Sequence, residues 1–249
     1  MSEPLTTGAS APTAGPRPAL EVRGLTVRNV PSPIVDVDLD VHTGETVALI
    51  GANGAGKSTV LRAIGGLVEA EGVVVWHGTD LRPVPGHERA ALGIAMVPEG
   101  RRVFASLTVE ENLRMGAGVG RRGPWDLDAV YELFPLLERA RRRRAGAMSA
   151  AEQQAIAVGR ALMANPDLLV MDEVSLGLAP VVVAQLYDTL APVFASGATI
   201  LLVGQDVGRV LDLADRVYCL LEGRVSLAGR PIELGRDDIR AAYFGTGVS

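Results

Sequence analysis

A glycine-rich segment at residues 51–59 ends in one lysine followed by two hydroxyl residues. Its spacing is G-x-x-x-x-G-K-[ST], and the flanking patterns predict a buried strand over residues 45–50 and a helix over residues 58–67. In that context backbone N–H groups wrap phosphates, Lys57 reaches the β- and γ-phosphates, and Ser58 offers its hydroxyl to Mg²⁺. The predicted phosphate-binding positions are Gly51, Asn53, Gly54, Ala55, Gly56, Lys57, Ser58 and Thr59.

A second segment places two carboxylates at the end of an apolar strand. Residues 168–171 are apolar, and Asp172 and Glu173 follow them directly. Asp172 is the expected Mg²⁺ ligand through the ion's water shell, and Glu173 is the expected general base for an attacking water. The pattern alone also fits a strand that stops in a solvated acidic turn, but the upstream loop favours hydrolysis of a bound nucleotide.

Lys57 is the only lysine among 24 basic residues, since every other one is arginine. A compact ammonium group fits a tight phosphate site that a broad planar guanidinium does not. We therefore assign Lys57 a catalytic as well as a binding role.

The elements that must position these residues alternate between strand and helix. Strand-like runs at residues 168–171, 199–203 and 217–221 are separated by helical patterns, which predicts a mainly parallel α/β core. Residues 20–41 alternate in the manner of strands with turns, and Glu222-Gly223 predicts a hairpin turn. Residues from about 100 to 150 predict an inserted helical subdomain.

Composition limits the class of protein. Residues 1–19 are rich in Pro, Ala, Ser, Thr and Gly and are expected to form a disordered tail before a folded domain at 20–249. No apolar run reaches the roughly 18 residues that a membrane-spanning helix needs, so docking to other chains is the expected route to a membrane. The net charge of −5 gives no global basic field, and we expect no nucleic-acid partner.

No metal site other than that of nucleotide-bound Mg²⁺ is predicted. The single Cys219 excludes an intrachain disulfide, and the three histidines, His42, His77 and His87, lack metal-ligand spacing. The arginines at residues 141–144 could touch a permease or lipid headgroups, although a solvated face is the commoner case.

Further segments carry a family resemblance. Residues 144–162, which include Met148-Ser149-Ala150-Ala151-Glu152-Gln153-Gln154, resemble the signature region of ABC ATPases and separate this chain from kinases and small GTPases. Residues 97–104 (VPEGRRVF), 108–113 (TVEENL) and 175–180 (SLGLAP) are similar to the second ATPase subunit of branched-chain amino acid importers, the LivF type. The resemblance runs from about residue 20 to the end.

The resemblance implies a fold and a set of partners. The fold is α/β, with a P-loop NTPase (RecA-like) core, an N-terminal antiparallel β subdomain and the inserted α-helical subdomain. ATP with Mg²⁺ would bind between two ATPase subunits stacked head to tail, hetero- or homodimeric, beside two transmembrane permease subunits. An extracytoplasmic substrate-binding protein takes part indirectly. The chain would then lie on the cytoplasmic face of the membrane as a peripheral subunit.

The resemblance also implies roles for four more residues. Glu99 falls where the family senses the γ-phosphate, binds the metal and contacts the permease. Gln205 holds the switch position usually occupied by histidine, and Ser149 begins the signature that reaches the partner's ATP. Arg28 lies where the family places an adenine-stacking aromatic residue, so a guanidinium would have to stack there.

The signature departs from the family pattern, which begins Leu-Ser-Gly-Gly. Ala150 and Ala151 each add a methyl group and restrict positive φ, so we hypothesise that the site completed by this signature closes poorly. The site formed by this chain's own phosphate loop and the partner's signature would stay competent. Val174 and Gly204 are smaller departures, standing where the family has Pro and Glu.

The sequence therefore predicts an ATP-hydrolysing subunit of an importer for branched-chain amino acids or a related small polar solute. One alternative is a degenerate nucleotide-binding partner that regulates but hydrolyses weakly. The other is a soluble ABC ATPase of DNA repair or translation, which usually carries a long coiled-coil insertion or two fused ATPase domains.

Overall fold

The computed structural model describes residues 17–204 and 206–244. Residues 1–16 of the predicted tail and the predicted switch residue Gln205 lie outside the described residues. Ala19, which composition assigned to the tail, is buried, and its N–H donates to the Val41 carbonyl at 2.8 Å. The His77 N–H donates to the Ala19 carbonyl at 2.7 Å, so sheet pairing already includes Ala19.

The described strands form two sheets. The smaller sheet is antiparallel in the order β2-β1-β4-β5, and the larger one has the order β10-β9-β3-β8-β7-β6. The strands are β1 (Leu20–Val27), β2 (Ile34–Val41), β3 (Thr46–Ile50), β4 (Glu71–Trp76), β5 (Thr79–Asp80), β6 (Ile94–Val97), β7 (Leu168–Asp172), β8 (Thr199–Val203), β9 (Arg216–Leu221) and β10 (Arg224–Gly229).

The larger sheet is parallel from β9 to β6, which confirms the predicted α/β core. Its central strands β3, β7 and β8 are buried along their whole length, as expected for parallel strands covered on both faces. Only β10 runs antiparallel, after a turn in which Glu222 and Gly223 have φ of 48° and 78°, so the predicted hairpin is confirmed.

The helices lie on both faces of the larger sheet and in the segment after β6. They are α1 (Lys57–Ile64), α2 (Gly86–Arg89), α3 (Val109–Ala117), α4 (Leu127–Leu133), α5 (Pro135–Arg139), α6 (Ala150–Leu162), α7 (Pro180–Ala195), α8 (Val207–Leu213) and α9 (Arg236–Phe244). None of the helices within the described ranges is both long and apolar enough to cross a membrane.

The larger sheet separates two hydrophobic cores. Because side chains alternate along a strand, Val47 and Leu49 of β3 face the core shared with α1 and the smaller sheet. Ala48 and Ile50 face the core shared with α6 and the helices after β6. The end of β3 is therefore held from both sides where the glycine-rich loop begins.

Helices α3 and α6 cross at close range in the helical segment. A Cβ on Gly116 of α3 would overlap the backbone carbonyl of Arg160 on α6, so the crossing requires glycine. On the α6 side, a Cβ on Gly159 would lie 2.8 Å from the Leu113 side chain. The C-terminal end of α6 is thus packed closely against helix α3.

Candidate functional site

The glycine-rich loop connects β3 directly to α1, as predicted. Gly54 and Gly56 have φ of 83° and 98°, in the left-handed region that favours glycine. Gly56 is the N-cap residue of α1 and forms no side-chain cap, and the first turn of α1 contains no acidic residue. The N–H groups at this helix start are therefore open to an anion.

Gly56 is required by space as well as by its φ. A Cβ there would fall within the contact distance of the Ile34 methyl group, because the segment before β2 lies directly against the loop. Behind the loop, Ala55 is buried and its carbonyl accepts from the Gly223 N–H at 3.2 Å. The hairpin after β9 thus braces the loop from the inner side.

Lys57 points back over the loop. Its Nζ donates to the carbonyls of Gly51 at 2.8 Å and Ala52 at 3.0 Å, and the residue is only 5% exposed. Burial lowers the pKa of Lys57, although the carboxylates of Glu173 and Asp172 oppose that shift. A phosphate bound in the loop would be a stronger acceptor for the Lys57 ammonium group than the two neutral carbonyls, because it is an anion.

Ser58 and Asp172 meet at the end of β7. The Ser58 hydroxyl donates to Asp172 Oδ1 at 2.8 Å, and Asp172 is 1% exposed. Its second oxygen, Oδ2, is buried without a hydrogen-bond partner among the described residues. Burial raises the pKa of Asp172, and the Ser58 hydrogen bond opposes this.

This oxygen pair fits Mg²⁺. A hard divalent cation takes carboxylate, hydroxyl, phosphate and water oxygens, and its charge offsets the desolvation of a buried carboxylate. The unpartnered Oδ2 of Asp172, next to the Ser58 hydroxyl, is the structural observation that supports the predicted ligands.

Glu173 follows on a left-handed backbone with φ of 48°. Its N–H donates to the Val203 carbonyl at 3.0 Å, which continues the pairing of β7 with β8 by one residue. Val174 is 1% exposed and anchors the chain immediately after it. The unusual φ is held from both sides, which is typical of strain kept at a functional position.

The loop, the acidic strand end and a segment after β6 line one cavity of about 430 Å³. Glu99 lies in its wall, with the Arg62 guanidinium 3.7 Å from its Oε2. The structure thus brings Glu99 and Glu173 together with the predicted loop residues. Those lining the cavity are Asn53, Gly54, Gly56, Lys57, Ser58, Thr59, Glu99 and Glu173.

Five of the described residues that were predicted for the site do not line this cavity: Gly51 and Ala55 of the loop, Asp172 at the strand end, and Arg28 and Ser149. Arg28 is absent from its lining, and its guanidinium lies 3.6 Å from the Glu71 carboxylate instead. Ser149 is the exposed N-cap of α6 and is absent from the lining of this cavity, so its contact with a partner's nucleotide stays a prediction.

Residues missed by the sequence reasoning complete the cavity wall. Val30, Pro31 and Ser32, a few residues after Arg28 in the sequence, line the cavity, and the Ser32 carbonyl accepts from the Thr59 hydroxyl at 2.8 Å. The available signal was the pair of prolines, Pro31 and Pro33, which breaks the strand pattern beside the loop. Arg62, Val68 and Leu176 also line the cavity without having been predicted.

The structure of the first turn of α6 shows that one expectation about the signature, the need for a positive φ at residues 150 and 151, was wrong. Ala150 and Ala151 are the first two residues of an α-helix, and neither has a positive φ. The helix start therefore does not need a residue with a positive φ, and glycine would offer no advantage of that kind at residues 150 and 151. The remaining difference is the two methyl groups at the exposed end of the helix.

Comparison with known proteins places this geometry in context. A family model described as ABC transporter matches residues 34–175. The chain is 45% identical over 215 residues to the high-affinity branched-chain amino acid transport ATP-binding protein BraG of Pseudomonas aeruginosa, covering 84% of this chain and 92% of BraG. It is 38% identical over 205 residues to a probable branched-chain amino acid transport ATP-binding protein LivF of Archaeoglobus fulgidus, covering 81% and 87%.

Solved structures agree on the fold. An ATP-binding subunit of an ABC transporter is 33% identical, with a TM-score of 0.73 and coverage of 93% of this chain and 95% of that one. A nucleotide-free ATP-binding cassette of an ABC transporter is 25% identical, with a TM-score of 0.75 and coverage of 90% and 94%.

Proposed function

The chain belongs to the ABC transporter family, and on that premise we propose that it binds and hydrolyses ATP to drive an importer. The transported solute is a branched-chain amino acid or a related small polar solute, which passes through separate permease subunits. One observation carries the proposal: the phosphate loop and Glu173 line one cavity, and Ser58 in its wall donates to the buried Asp172.

The roles of the residues follow from their positions. On binding ATP, Lys57 exchanges its two carbonyl acceptors for phosphate oxygens, and the N–H groups of residues 53–58 surround the β-phosphate. Glu173 accepts a proton from the attacking water, and Glu99 orients that water and the γ-phosphate from the opposite wall. Gln205 is proposed as the switch residue on the basis of the family resemblance alone.

Ser58 and Asp172 are the proposed holders of Mg²⁺, with Glu99 nearby. When bound, Mg²⁺ supplies positive charge that offsets the charge developing on the phosphate oxygens. The chain contributes the orientation: the Ser58 hydroxyl is fixed by Asp172 Oδ1, and Asp172 is held by the fully buried end of β7.

We propose a second ATPase subunit as the partner across the nucleotide. Ser149 and Ala150 are exposed and residues 151–153 are half-buried, so the start of α6 is accessible to the phosphate loop of that partner. The helix N-terminus would add its positive potential and its N–H groups to the partner's γ-phosphate. Each ATP would then be bound by two chains, and closure of the pair would drive the permeases.

The proposed permease contact is a groove of about 850 Å³ between the sheet and the helical segment. Phe104 and Met115 are 46% and 55% exposed on its wall, which is a large apolar exposure for a groove that faces only water. Glu99 and Asp172 line the same groove at its inner end, so it adjoins the nucleotide cavity. A subunit docked there would lie peripherally on the cytoplasmic face of the membrane.

The test is Mg²⁺-dependent ATP binding and hydrolysis by the chain assembled with its partner ATPase and permeases. We expect Mg²⁺-dependent affinity for ATP, which Lys57→Ala removes, and co-purification with multi-span membrane proteins. Branched-chain amino acid uptake by reconstituted vesicles then identifies the solute. If the assembled complex does not bind nucleotide, the proposal that this chain binds and hydrolyses ATP is wrong.

The signature favours one second candidate, a nucleotide-binding partner that regulates and hydrolyses weakly. Its supporting observation is Ala150-Ala151 in place of two glycines. Single-turnover hydrolysis by the assembled complex, compared with ATP binding alone, separates the two functions. An intact Lys57, Asp172 and Glu173 favour hydrolysis at this chain's own loop.

A further inference from the structure

Asn112 lies in the segment TVEENL at residues 108–113, which includes the start of α3. It is on the first turn of α3 and is completely buried. Its Oδ1 accepts from the Phe104 N–H at 2.8 Å, and its Nδ2 donates to the Phe104 carbonyl at 3.0 Å and the Thr108 carbonyl at 2.9 Å. The side chain therefore pairs with both backbone groups of Phe104, much as a neighbouring strand would.

The loop that ends at Phe104 has an unusual backbone. Gly100, Arg101 and Arg102 have φ of 77°, 64° and 43°, so three consecutive residues are left-handed and two of them carry side chains. Such a conformation persists only where the surroundings impose it. The loop is thus under strain between β6 and α3.

Contacts hold this loop at both ends and in the middle. At one end Glu99 lines the nucleotide cavity next to Arg62. In the middle the Arg101 guanidinium donates to the Leu176 carbonyl at 3.3 Å, close to Glu173 in sequence. At the other end Asn112 holds the Phe104 backbone, and no other described group accepts the Phe104 N–H.

Phe104 joins this loop to the proposed docking groove. Its ring is 46% exposed on the groove wall, and the Arg160 guanidinium carbon lies 5.2 Å from the ring centroid. Arg160 belongs to α6, the helix that begins with the signature. One short loop therefore links the nucleotide cavity, the groove and the signature helix.

We propose that Asn112 is a positioning residue that keeps the strained loop at residues 99–104 under tension, so that movement of Glu99 at the nucleotide is transmitted to Phe104 at the groove. The inference rests on the proposed function, because it takes the groove as the permease contact. Without Asn112, residues 100–102 relax, and a change at the nucleotide is absorbed within the loop. Because the loop is held at both of its ends, Asn112 can affect this coupling without touching the nucleotide or the permease.

The first experiment uses the isolated chain and needs no permease. Amide hydrogen exchange at Phe104 reports its hydrogen bond to Asn112 directly, and Asn112→Ala should speed that exchange about tenfold, the loss expected for one buried hydrogen bond. The matched control is Glu110→Ala, which removes an exposed ion pair with Arg114 on the same helix. Unchanged protection of the Phe104 amide in Asn112→Ala would show that Asn112 does not hold the Phe104 backbone and would overturn the inference.

The second experiment uses the complex with permeases and follows ATP turnover with and without them. Asn112→Ala should cut the permease-dependent part of kcat about tenfold while KM for ATP stays within about twofold, since the phosphate loop is untouched. Phe104→Ala should give the same loss, and the double variant should lose no more than either alone. Ile232→Ala removes an apolar side chain that is 92% exposed and does not line the groove, and it is the control.

Two outcomes contradict the inference. A parallel fall in permease-free and permease-dependent turnover would make Asn112 a purely structural residue. Normal coupling in Phe104→Ala, whose side chain is partly exposed on the groove wall, would contradict it independently of any folding defect in Asn112→Ala. If Asn112→Ala speeds exchange at Phe104 but the native complex takes up no amino acid, the hold of Asn112 on Phe104 stands and the proposed function is refuted instead.

Discussion

Two helix starts in this chain face nucleotide phosphate in the proposed assembly, and they are built in opposite ways. Helix α1 begins after a left-handed glycine, has no side-chain cap and carries no acid in its first turn. Helix α6 begins with a complete capping box: Ser149 Oγ accepts from the Glu152 N–H at 3.3 Å, and Glu152 Oε2 accepts from the Ser149 N–H at 2.7 Å.

The difference shows how one type of element is adapted to two tasks. The positive end of α1 is left open, and Lys57 adds a full charge, so an anion is its natural partner. At α6 the carboxylate of Glu152 already satisfies the helix end, and the hydrogen bonds from Ser149 lower the pKa of Glu152. In the proposed assembly the first end therefore supplies the main phosphate site, whereas the second end completes a site formed by another chain.

Glu173→Gln tests whether the site at α1 performs the chemistry. We expect ATP turnover to fall by about 10²–10⁴ because the general base is lost, with ATP binding intact. The control is Glu222→Gln, since Glu222 has the same φ of 48° but lies in the hairpin after β9. Turnover that survived Glu173→Gln would remove Glu173 from the mechanism.

Gly56→Ala tests whether the open helix start depends on glycine. The φ of 98° and the contact with Ile34 should together weaken ATP affinity about ten- to a hundredfold, measured by titration calorimetry. Gly78→Ala is the matched control, because Gly78 has φ of 79° but no described atom within 4 Å of the new Cβ. Equal losses in both variants would point to general destabilisation by a left-handed alanine and would contradict a specific need for glycine in the phosphate loop.

Asp172→Asn tests the metal contribution at the same end. Because burial raises the pKa of Asp172, its stability contribution is full below the ordinary pKa of Asp and is lost as pH rises through the raised value. Without Mg²⁺ the variant should unfold at the same or a higher temperature than the native chain near neutral pH. The gain in ATP affinity that Mg²⁺ produces should be about tenfold smaller in the variant than in the native chain. Asp188→Asn, an exposed change on α7, should alter neither quantity. A Mg²⁺ effect of native size in Asp172→Asn would disprove the assignment.

Ala150→Gly with Ala151→Gly tests the other helix start and has the smallest expected effect. In a complex that carries Lys57→Ala in this chain, the remaining turnover reports the partner's loop and this signature. Removing two methyl groups at the end of α6 should raise that turnover about threefold if they limit approach to the phosphate. An unchanged rate would place the limitation elsewhere, with the capping carboxylate of Glu152 as the next candidate.

The candidate site could largely be predicted from the sequence because its chemistry lies in two contiguous segments. The loop at residues 51–59 and the strand end at residues 168–173 carry their own signals, and β3 and β7 are strands as predicted. Arg28 was different: it is absent from the cavity lining and its guanidinium lies 3.6 Å from the Glu71 carboxylate, because a side chain's direction depends on its neighbours and not only on its place in the sequence. Asn112 gave no sign of burial because polarity alone does not reveal which backbone groups a side chain will meet.

The sequence by itself determined the phosphate loop, the parallel core and the family, since local spacing and strand periodicity are short-range properties of the chain. Only the tertiary structure decided that Ser58 meets Asp172, that Asp172 Oδ2 lacks a described partner, and that Asn112 holds Phe104 beside the groove. Those relations join residues through packing of whole elements, where burial and close approach, rather than residue type, determine which polar groups pair.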